Sequence, residues 1–277
     1  MNLAGAVPGI PDAEVHLVKE LPDALPGGAS IGMYMQAAPN ALLITMPRVA
    51  RYLVRDGKTI EIAPEPDADP GAVAAYLYGS ARSALIHQRG ELPLHAASLV
   101  PPGASAAVAF CGSSGAGKST LAAELSRRGW SLLADDTTRV SWDGSRPIAW
   151  PSREHIKLWR DACARLNLDP ASLTRVRRQM EKFLIAVPTH GDAAPLSAVV
   201  ELVSYGKAEM QEIETFERIA ILSRHTFRPR QIRALGQMAG HMDIVSQVAG
   251  SIRAFRLGGA RLAEPAKLAD AVAGIVS

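Results

Sequence analysis

The sequence has few cysteines, no long apolar run and little net charge, and each shortage excludes a class of protein. Its two cysteines, Cys111 and Cys163, are too few for a disulfide framework and lack metal-binding spacing. Cys111 lies in the apolar run "AAVAFC", which predicts a buried, reduced thiol, as is usual in a reducing cytoplasm. No apolar stretch approaches the roughly 20 residues of a membrane helix, and the N-terminus does not have the pattern of a signal peptide. We therefore expect a cytoplasmic protein without a membrane segment.

The positive and negative charges are nearly balanced. Thirty Lys and Arg face 27 Asp and Glu, a net charge of +3, which is too small to indicate nucleic-acid binding. Apolar residues make up 48 % and charged residues 21 % of the 277 residues, so the chain can bury one large core or two smaller ones. We expect no nucleic-acid partner, and the sequence leaves the oligomeric state open, a homo-oligomer included.

The sequence pattern divides the chain into a small strand-rich region, residues 1–70, and a larger mixed region, residues 71–277. Alternation around Asp56-Gly57 predicts a hairpin. Apolar residues at helical spacing in "AVAAYLYGSARSALIHQRG" predict a helix that ends at Gly90. A second helical segment, basic in character, is expected over residues 153–183. The remaining expected strands and helices are "LPLHAASLV", "AAVAFCG", "WSLLADD", "LSAVVELVS" and "SIRAFRLGG" as strands, and "KSTLAAELSRRG", "ERIAILSRHTF", "RQIRALGQMAGHMDIVSQVAG" and "EPAKLADAVAGIV" as helices.

The stretch "CGSSGAGKST" matches the P-loop pattern, Gly112-x4-Gly117-Lys118-Ser119, with a strand before it and a helix after it. Glycines let backbone N–H groups approach phosphate oxygens, and the helix N-terminus adds partial positive charge. Lys118 would bind the β and γ phosphates of ATP, and the Ser119 hydroxyl would bind Mg²⁺. The alternative is a Gly/Ser-rich turn that contains a lysine. The nucleotide-binding residues that we predict are Gly112, Ser113, Ser114, Gly115, Ala116, Gly117, Lys118, Ser119 and Thr120.

Two adjacent carboxylates, Asp135 and Asp136, end the next apolar run. A carboxylate at the end of a strand beside a P-loop is a usual Mg²⁺ ligand. Since successive side chains of a strand point to opposite faces, one aspartate could bind the metal and the other could face the attacking hydroxyl as a general base. The alternative is a solvated turn or a helix N-cap at "DDTT".

Three stretches resemble the family of HPr kinase/phosphorylases and their HPr-kinase-like relatives. "GSSGAGKSTLAAELSRRGWSLLADD" resembles the family's P-loop region, "LPLHAASLV" its Leu-His element, and "IKLWRDACARL" the Leu-Trp segment of its shorter members. The resemblance implies an α/β fold like that of phosphoenolpyruvate carboxykinases and an ATP-dependent protein-serine kinase activity. It also implies that Asp135 is the catalytic base, Asp136 a metal or phosphate partner, and His95 a polar group near the transferred phosphate. A core or turn histidine is the alternative for His95.

Two departures separate the sequence from the bifunctional members of that family. Thr120 stands where those enzymes typically carry Glu, and their N-terminal domain and their glycine- and glutamate-rich signature have no clear match. The short architecture is more similar to kinases of lasso-peptide gene clusters, which modify a serine at the C-terminal end of a precursor peptide. We expect such a kinase, with ATP and Mg²⁺ as cofactors. A kinase/phosphorylase of HPr itself, a small-molecule kinase and an acceptor-free regulatory ATPase remain alternatives, and other phosphoryl donors remain open.

Basic residues outside the P-loop supply further candidates. The stretch "RHTFRPR" contains Arg228 and Arg230. A planar guanidinium can donate two hydrogen bonds to the oxygens of one phosphate, so we predict that Arg228 binds the transferring phosphoryl group in the transition state. A second basic run could bind an acidic peptide or nucleotide phosphates, or be a solvated helix face. Its members are Arg175, Arg177, Arg178 and Lys182.

The other histidines and two of the tryptophans carry no recognisable pattern. His155, His190 and His241 have no partner at a meaningful spacing, so we expect structural roles for them. Trp150 and Trp159 are expected in the core.

Overall fold

The computed structural model describes residues 13–152, 155–177 and 180–274, and it shows a mixed α/β protein with several sheets. The chain forms two compact units. The first unit contains the described residues up to Pro93 together with Phe227–Asp243, and the second contains Leu94–Thr226 and the residues from Ile244 onward. This division differs from the expected boundary between residues 70 and 71, because the helices after that boundary pack against the first sheet.

The first unit is built on a six-stranded sheet. Its strand order is β1-β6-β5-β4-β3-β2, and all neighbours are antiparallel except β1 and β6. The predicted hairpin is confirmed, since β5 and β6 pair on either side of Asp56-Gly57. The strands are β1 Glu14–Leu17, β2 Ala29–Ser30, β3 Met35–Ala38, β4 Ala41–Met46, β5 Ala50–Arg55 and β6 Thr59–Pro64.

One long helical segment covers this sheet. It consists of α1 Pro70–Tyr76, a π-helical turn Leu77–Ala81 and α2 Arg82–Gln88, and it ends before Gly90 as predicted. Asp69 caps α1 by accepting a hydrogen bond from the Gly71 amide. Apolar side chains of the segment bury against the sheet, which fixes its position.

Strand β7, Leu92–Leu94, contains a boundary between the two units, since Pro93 belongs to the first and Leu94 to the second. The predicted strands "LPLHAASLV" and "AAVAFCG", the helix "KSTLAAELSRRG" and the strand "WSLLADD" are confirmed. The elements of this stretch are β8 Ala96–Val100, β9 Ala107–Gly112, α3 Lys118–Arg127, β10 Ser131–Ala134, β11 Thr138–Trp142 and β12 Pro147–Trp150.

The prediction of a helical segment over residues 153–183 is wrong. Most of its described part forms a small antiparallel sheet, with only one short helix. Burial alternates with a period of two from His155 to Trp159, as in a strand with one buried face, and Pro170 begins a separate 3₁₀ turn. The elements are β13 His155–Trp159, α4 Arg160–Arg165, the 3₁₀ turn Pro170–Ser172, β14 Thr174–Arg175 and β15 Lys182–Ala186.

The C-terminal third follows the predicted pattern of strands and helices. The strands predicted at "LSAVVELVS" and "SIRAFRLGG" are confirmed as β16 and β18, which pair in parallel. Along the chain, the second boundary between the units falls between Asp243 and Ile244, within α7. The bounds are β16 Ala194–Leu202, β17 Met210–Glu212, α5 Thr215–Arg224, α6 Arg230–Ala234, α7 Met238–Ser251, β18 Arg253–Leu257 and α8 Pro265–Ala273.

The core of the second unit surrounds β9. This strand is buried throughout and lies between β8, antiparallel to it, and β16, parallel to it. Leu121 and Leu125 of α3 pack into the same core, in which the Phe110 and Trp130 rings lie 6.2 Å apart. Close packing of this kind leaves the end of β9 little freedom to move. None of the helices in the described ranges has the length and apolar character needed to span a bilayer.

Candidate nucleotide-binding site

The loop between β9 and α3 has the strand–loop–helix setting that the P-loop pattern requires. Gly117 has φ of 100°, a left-handed conformation that favours glycine, and it directly precedes α3. A Cβ atom on Gly112 would lie 2.7 Å from the carbonyl oxygen of Leu202, so only glycine fits there. The loop is therefore held against β16 on one side and leads into the free amides of the first turn of α3 on the other.

Lys118 is buried and folds back over the loop. Its Nζ donates hydrogen bonds to the carbonyl oxygens of Gly112, at 2.8 Å, and Ser113, at 3.2 Å. Burial lowers the pKa of Lys118, because the ammonium loses hydration, and nearby acidic groups oppose that shift. An anion bound at the loop would therefore interact with an ammonium group that has already lost part of its hydration.

Ser119 and Asp135 form a second contact at this loop. The Ser119 hydroxyl lies 3.2 Å from Oδ1 of Asp135, and the Lys157 amide donates to Oδ2 of the same carboxylate at 3.1 Å. Burial raises the pKa of Asp135, and the neighbouring charge of Asp136 adds to the effect. Ser119 and Asp136 were expected as metal ligands, whereas in the structure the serine contacts Asp135.

Asp136 lies at the surface of the site in an unusual backbone conformation, with φ of 68°. Its carboxylate accepts a hydrogen bond from Lys157 Nζ at 2.6 Å, and its backbone carbonyl accepts one from His95 Nδ1 at 2.9 Å. Because a carbonyl only accepts, the proton of His95 is on Nδ1 and Nε2 is unprotonated in the neutral ring. Burial, followed by the charge of Lys118, lowers the pKa of His95, so the neutral form predominates at pH 7.

These residues surround one cleft of about 350 Å³, which we call the phosphate-loop cleft. It contains most of the predicted site residues together with several that the sequence analysis did not assign to a site, such as Lys157 and Arg261. Its lining residues are His95, Ser114, Gly115, Gly117, Lys118, Ser119, Thr120, Asp136, Lys157, Leu158, Trp159, Asp161, Ala162, Arg165, Lys182 and Arg261.

Ser119, which lines this cleft, and the buried Asp135 beside it have oxygen donors that fit a nucleotide-bound Mg²⁺ ion. Among the described residues no group of three or more His, Cys, Asp or Glu side chains could hold a metal ion by itself. The Ser119 hydroxyl and the Asp135 carboxylate are oxygen donors within 3.2 Å of each other, which suits an ion that takes one or two protein ligands and completes its shell with water and phosphate.

Trp159 is not in the core, where it was expected. Its side chain is 49 % exposed and lines the phosphate-loop cleft. The error follows from the wrong helical period: in a strand, Lys157 and Trp159 share a face, and the residue between them, Leu158, is buried. A period of two in "HIKLW" places both residues on the face opposite the buried Leu158.

Arg228 and Arg230 belong to the first unit, whereas the phosphate-loop cleft belongs to the second. The guanidinium of Arg228 lies 5.1 Å from the centroid of the Phe227 ring. The role predicted for Arg228 stays a prediction.

The second basic run divides in the structure. Arg175 forms an ion pair with Glu181, while Lys182 lines the cleft. Arg178 lies outside the described residues. The run is not a helix face, because Arg175 and Lys182 lie on strands.

A buried ionic network lies behind His95. Glu201 on β16 contacts Arg224 at 2.6 Å, His225 at 2.9 Å and Arg256 at 2.8 Å. Burial would raise the pKa of Glu201, but hydrogen bonds from these three partners outweigh it and lower the pKa to about 2. The carbonyl of His225 in turn accepts the His95 amide at 2.8 Å, so the network fixes the backbone that carries His95.

Neither a protein-family model nor a curated protein sequence matches the chain. Among solved structures, the HPr(Ser) kinase/phosphatase from Coxiella burnetii is similar to this chain, with 15 % sequence identity and a TM-score of 0.38. The match covers 66 % of this chain and 95 % of that chain.

Proposed function

We propose that the chain is an ATP- and Mg²⁺-dependent kinase that transfers the γ-phosphoryl group of ATP to a serine hydroxyl. The single observation that carries the proposal is the contact of Ser119 with Asp135 beside Lys118, at the end of the buried strand β9. A nucleotide-binding P-loop needs a lysine, a hydroxyl and a carboxylate together. A kinase also needs a base that takes the proton from the attacking serine hydroxyl.

The residues have separate tasks in this proposal. Lys118 would leave the loop carbonyls and bind the β and γ phosphates, while the amides at the start of α3 would bind phosphate oxygens. Ser119 and Asp135 would hold Mg²⁺, which neutralises charge on the phosphates when it is bound. Because the site is partly buried, these interactions are stronger than they would be in water.

Asp136 is our choice for the proton acceptor, which reverses the roles that the family resemblance implied. Asp136 lines the phosphate-loop cleft, whereas Asp135 is 3 % exposed and has both carboxylate oxygens in contact with Ser119 and Lys157. A base must reach the hydroxyl whose proton it takes, and exposure to the cleft supports Asp136 in that task. Lys157 and His95 would hold it in position through their hydrogen bonds.

For the acceptor we propose a peptide, and in particular the serine at the C-terminal end of a lasso-peptide precursor. The support is the resemblance of residues 92–136 to HPr-kinase-like proteins, the short architecture, and Thr120 in place of Glu after the P-loop serine.

The test is phosphoryl transfer to defined acceptors. The protein is incubated with Mg²⁺ and ATP and with a precursor peptide ending in serine, the same peptide ending in alanine, HPr, or free serine, and the products are weighed. We expect one added phosphoryl group on the serine peptide and none on its alanine control. Transfer to HPr or to free serine instead would replace the peptide acceptor, and ADP formation without any phosphorylated product would contradict a kinase.

A further inference from the structure

We infer that Lys182 is a second phosphate-binding cation of the phosphate-loop cleft and contacts the terminal phosphoryl group of the nucleotide. The inference rests on the proposed function, because it presumes that a nucleoside triphosphate occupies the cleft.

The position of Lys182 is set by the small sheet. Lys182 begins β15 and lies directly opposite Trp159 of β13, and its Nζ is 5.4 Å from the centroid of the Trp159 ring. Both side chains line the phosphate-loop cleft. Lys157 lies two residues before Trp159 on the same face of β13, and its Nζ donates to Asp136 while its backbone amide donates to Asp135. Lys182 therefore lies beside the part of the cleft that carries the acidic pair.

Lys182 differs from the charged residues around it in its ion pairing. Lys157 is paired with Asp136, and Glu181, the residue before Lys182, is paired with Arg160 and Arg175. Within the described ranges Lys182 forms no ion pair of its own. Its contact with the face of Trp159 is a cation–π interaction, which holds the ammonium without cancelling its charge.

Electrostatics links Lys182 to the phosphate loop. Lys118 and Lys182 both line the phosphate-loop cleft. Two ammonium groups in one partly buried cleft repel each other, and an anion bound between them relieves both. The cleft thus favours a ligand with more negative charge than Lys118 alone would neutralise.

The terminal phosphate is the group that fits this charge. In a bound nucleotide, Lys118 is shared between the β and γ phosphates. The terminal phosphate carries more negative charge than either of the other two phosphates. A lysine ammonium binds phosphate as a compact point charge and can follow the group as it moves to the acceptor. Lys182 would therefore favour triphosphate over diphosphate and stabilise the transferring group.

The experiment compares the affinity of a non-hydrolysable triphosphate analogue with that of ADP, by calorimetry with Mg²⁺, for the parent and for Lys182→Gln. We expect Lys182→Gln to weaken the triphosphate analogue about 10-fold or more while the Kd of ADP changes by less than about 3-fold. Lys182→Arg keeps the charge and should retain most of the preference. Lys267→Gln is the matched control, since Lys267 is exposed on α8 and does not line the cleft.

The outcomes separate this inference from the proposed function. If the parent binds both nucleotides and Lys182→Gln weakens neither, or weakens both equally, Lys182 is not a terminal-phosphate ligand and the nucleotide site stands. If the parent binds no nucleotide at all, the proposed function fails, and this inference fails with it. Circular dichroism of each variant establishes that it is folded.

Discussion

The hydroxyl of Ser119 lies 3.2 Å from Oδ1 of Asp135, a residue 16 positions further along the chain. The contact joins the first turn of α3 to the end of β10, and it places a hydroxyl and a carboxylate side by side next to the lysine of the loop. Asp136, by contrast, turns away with a left-handed backbone and pairs with Lys157. Two adjacent carboxylates of the same residue type therefore have different surroundings, which is what separate roles in one reaction require.

The different surroundings of the two aspartates predict different kinetic defects. Asp136→Asn should lower the transfer rate by about 10²- to 10⁴-fold, the usual scale of general base help, with little effect on nucleotide affinity. Asp135→Asn should instead raise the Mg²⁺ concentration needed for half-maximal rate. Single-turnover transfer and a Mg²⁺ titration measure the two effects. If Asp135→Asn has the large rate defect at saturating Mg²⁺ and Asp136→Asn does not, the original assignment from the family resemblance is the right one.

Lys118→Ala should abolish phosphoryl transfer. The variant removes the ammonium that donates to the carbonyl oxygens of Gly112 and Ser113, and with it the cation expected on the β and γ phosphates. The fold should survive, because Ser113, Ser114 and Gly115 of the loop are exposed and the core of the second unit does not depend on them. Transfer assays and thermal unfolding, with Lys267→Ala as the control, provide the measurement. Turnover at the parent rate in a folded Lys118→Ala protein would rule out a phosphate-binding role for the loop.

Arg228 remains a sequence-based prediction with its own test. If its guanidinium neutralises the transferring phosphoryl group, Arg228→Ala should lower kcat by about 10³-fold, the scale seen for an arginine clamp. Nucleotide affinity should change little, because the clamp acts on the transition state. Arg233→Ala is a suitable control, since Arg233 is an exposed residue of the nearby helix α6. A loss of only a few-fold would mean that the clamp is another residue.

The first unit should lose stability in mild acid. Burial lowers the pKa of His87 from 6.5 to about 4, the nearby His241 adds to this effect, and a hydrogen bond to the Phe227 carbonyl opposes it. The folded state therefore favours neutral His87, and the unfolded state binds more protons between about pH 6.5 and pH 4. The contribution of neutral His87 to the free energy of unfolding is fully present above the pKa of the unfolded state. It is lost as the pH falls through this window, by about 2 kcal/mol between pH 7 and pH 5.

Urea unfolding of the parent and of His87→Gln at pH 7 and pH 5 tests this expectation. Glutamine keeps a donor for the Phe227 carbonyl but does not titrate, so its free energy of unfolding should fall less on acidification than that of the parent. His16→Gln, a change at an exposed histidine, should behave like the parent. Equal losses in His87→Gln and the parent would show that another group is responsible.

The sequence alone predicted those elements whose structure depends on residues close to one another along the chain. The hairpin at Asp56-Gly57 depends on turn residues and alternation over a few positions on either side. Likewise the strand–loop–helix arrangement around "CGSSGAGKST" was predicted from a continuous apolar run followed by an amphipathic helical pattern. In such segments the physical cause of the structure is local, and a local pattern is enough to recognise it.

Other features were decided by tertiary structure. The contact of Ser119 with Asp135, rather than with Asp136, depends on how α3 and β10 pack, which no spacing along the chain encodes. Trp159 and Lys182 were assigned to a helix because charged and apolar residues at mixed spacing fit both periods, and the choice was made by strand pairing between β13 and β15. Such pairing is a non-local interaction, and it can override the helical pattern of a short segment because burial of the whole strand face outweighs local preference.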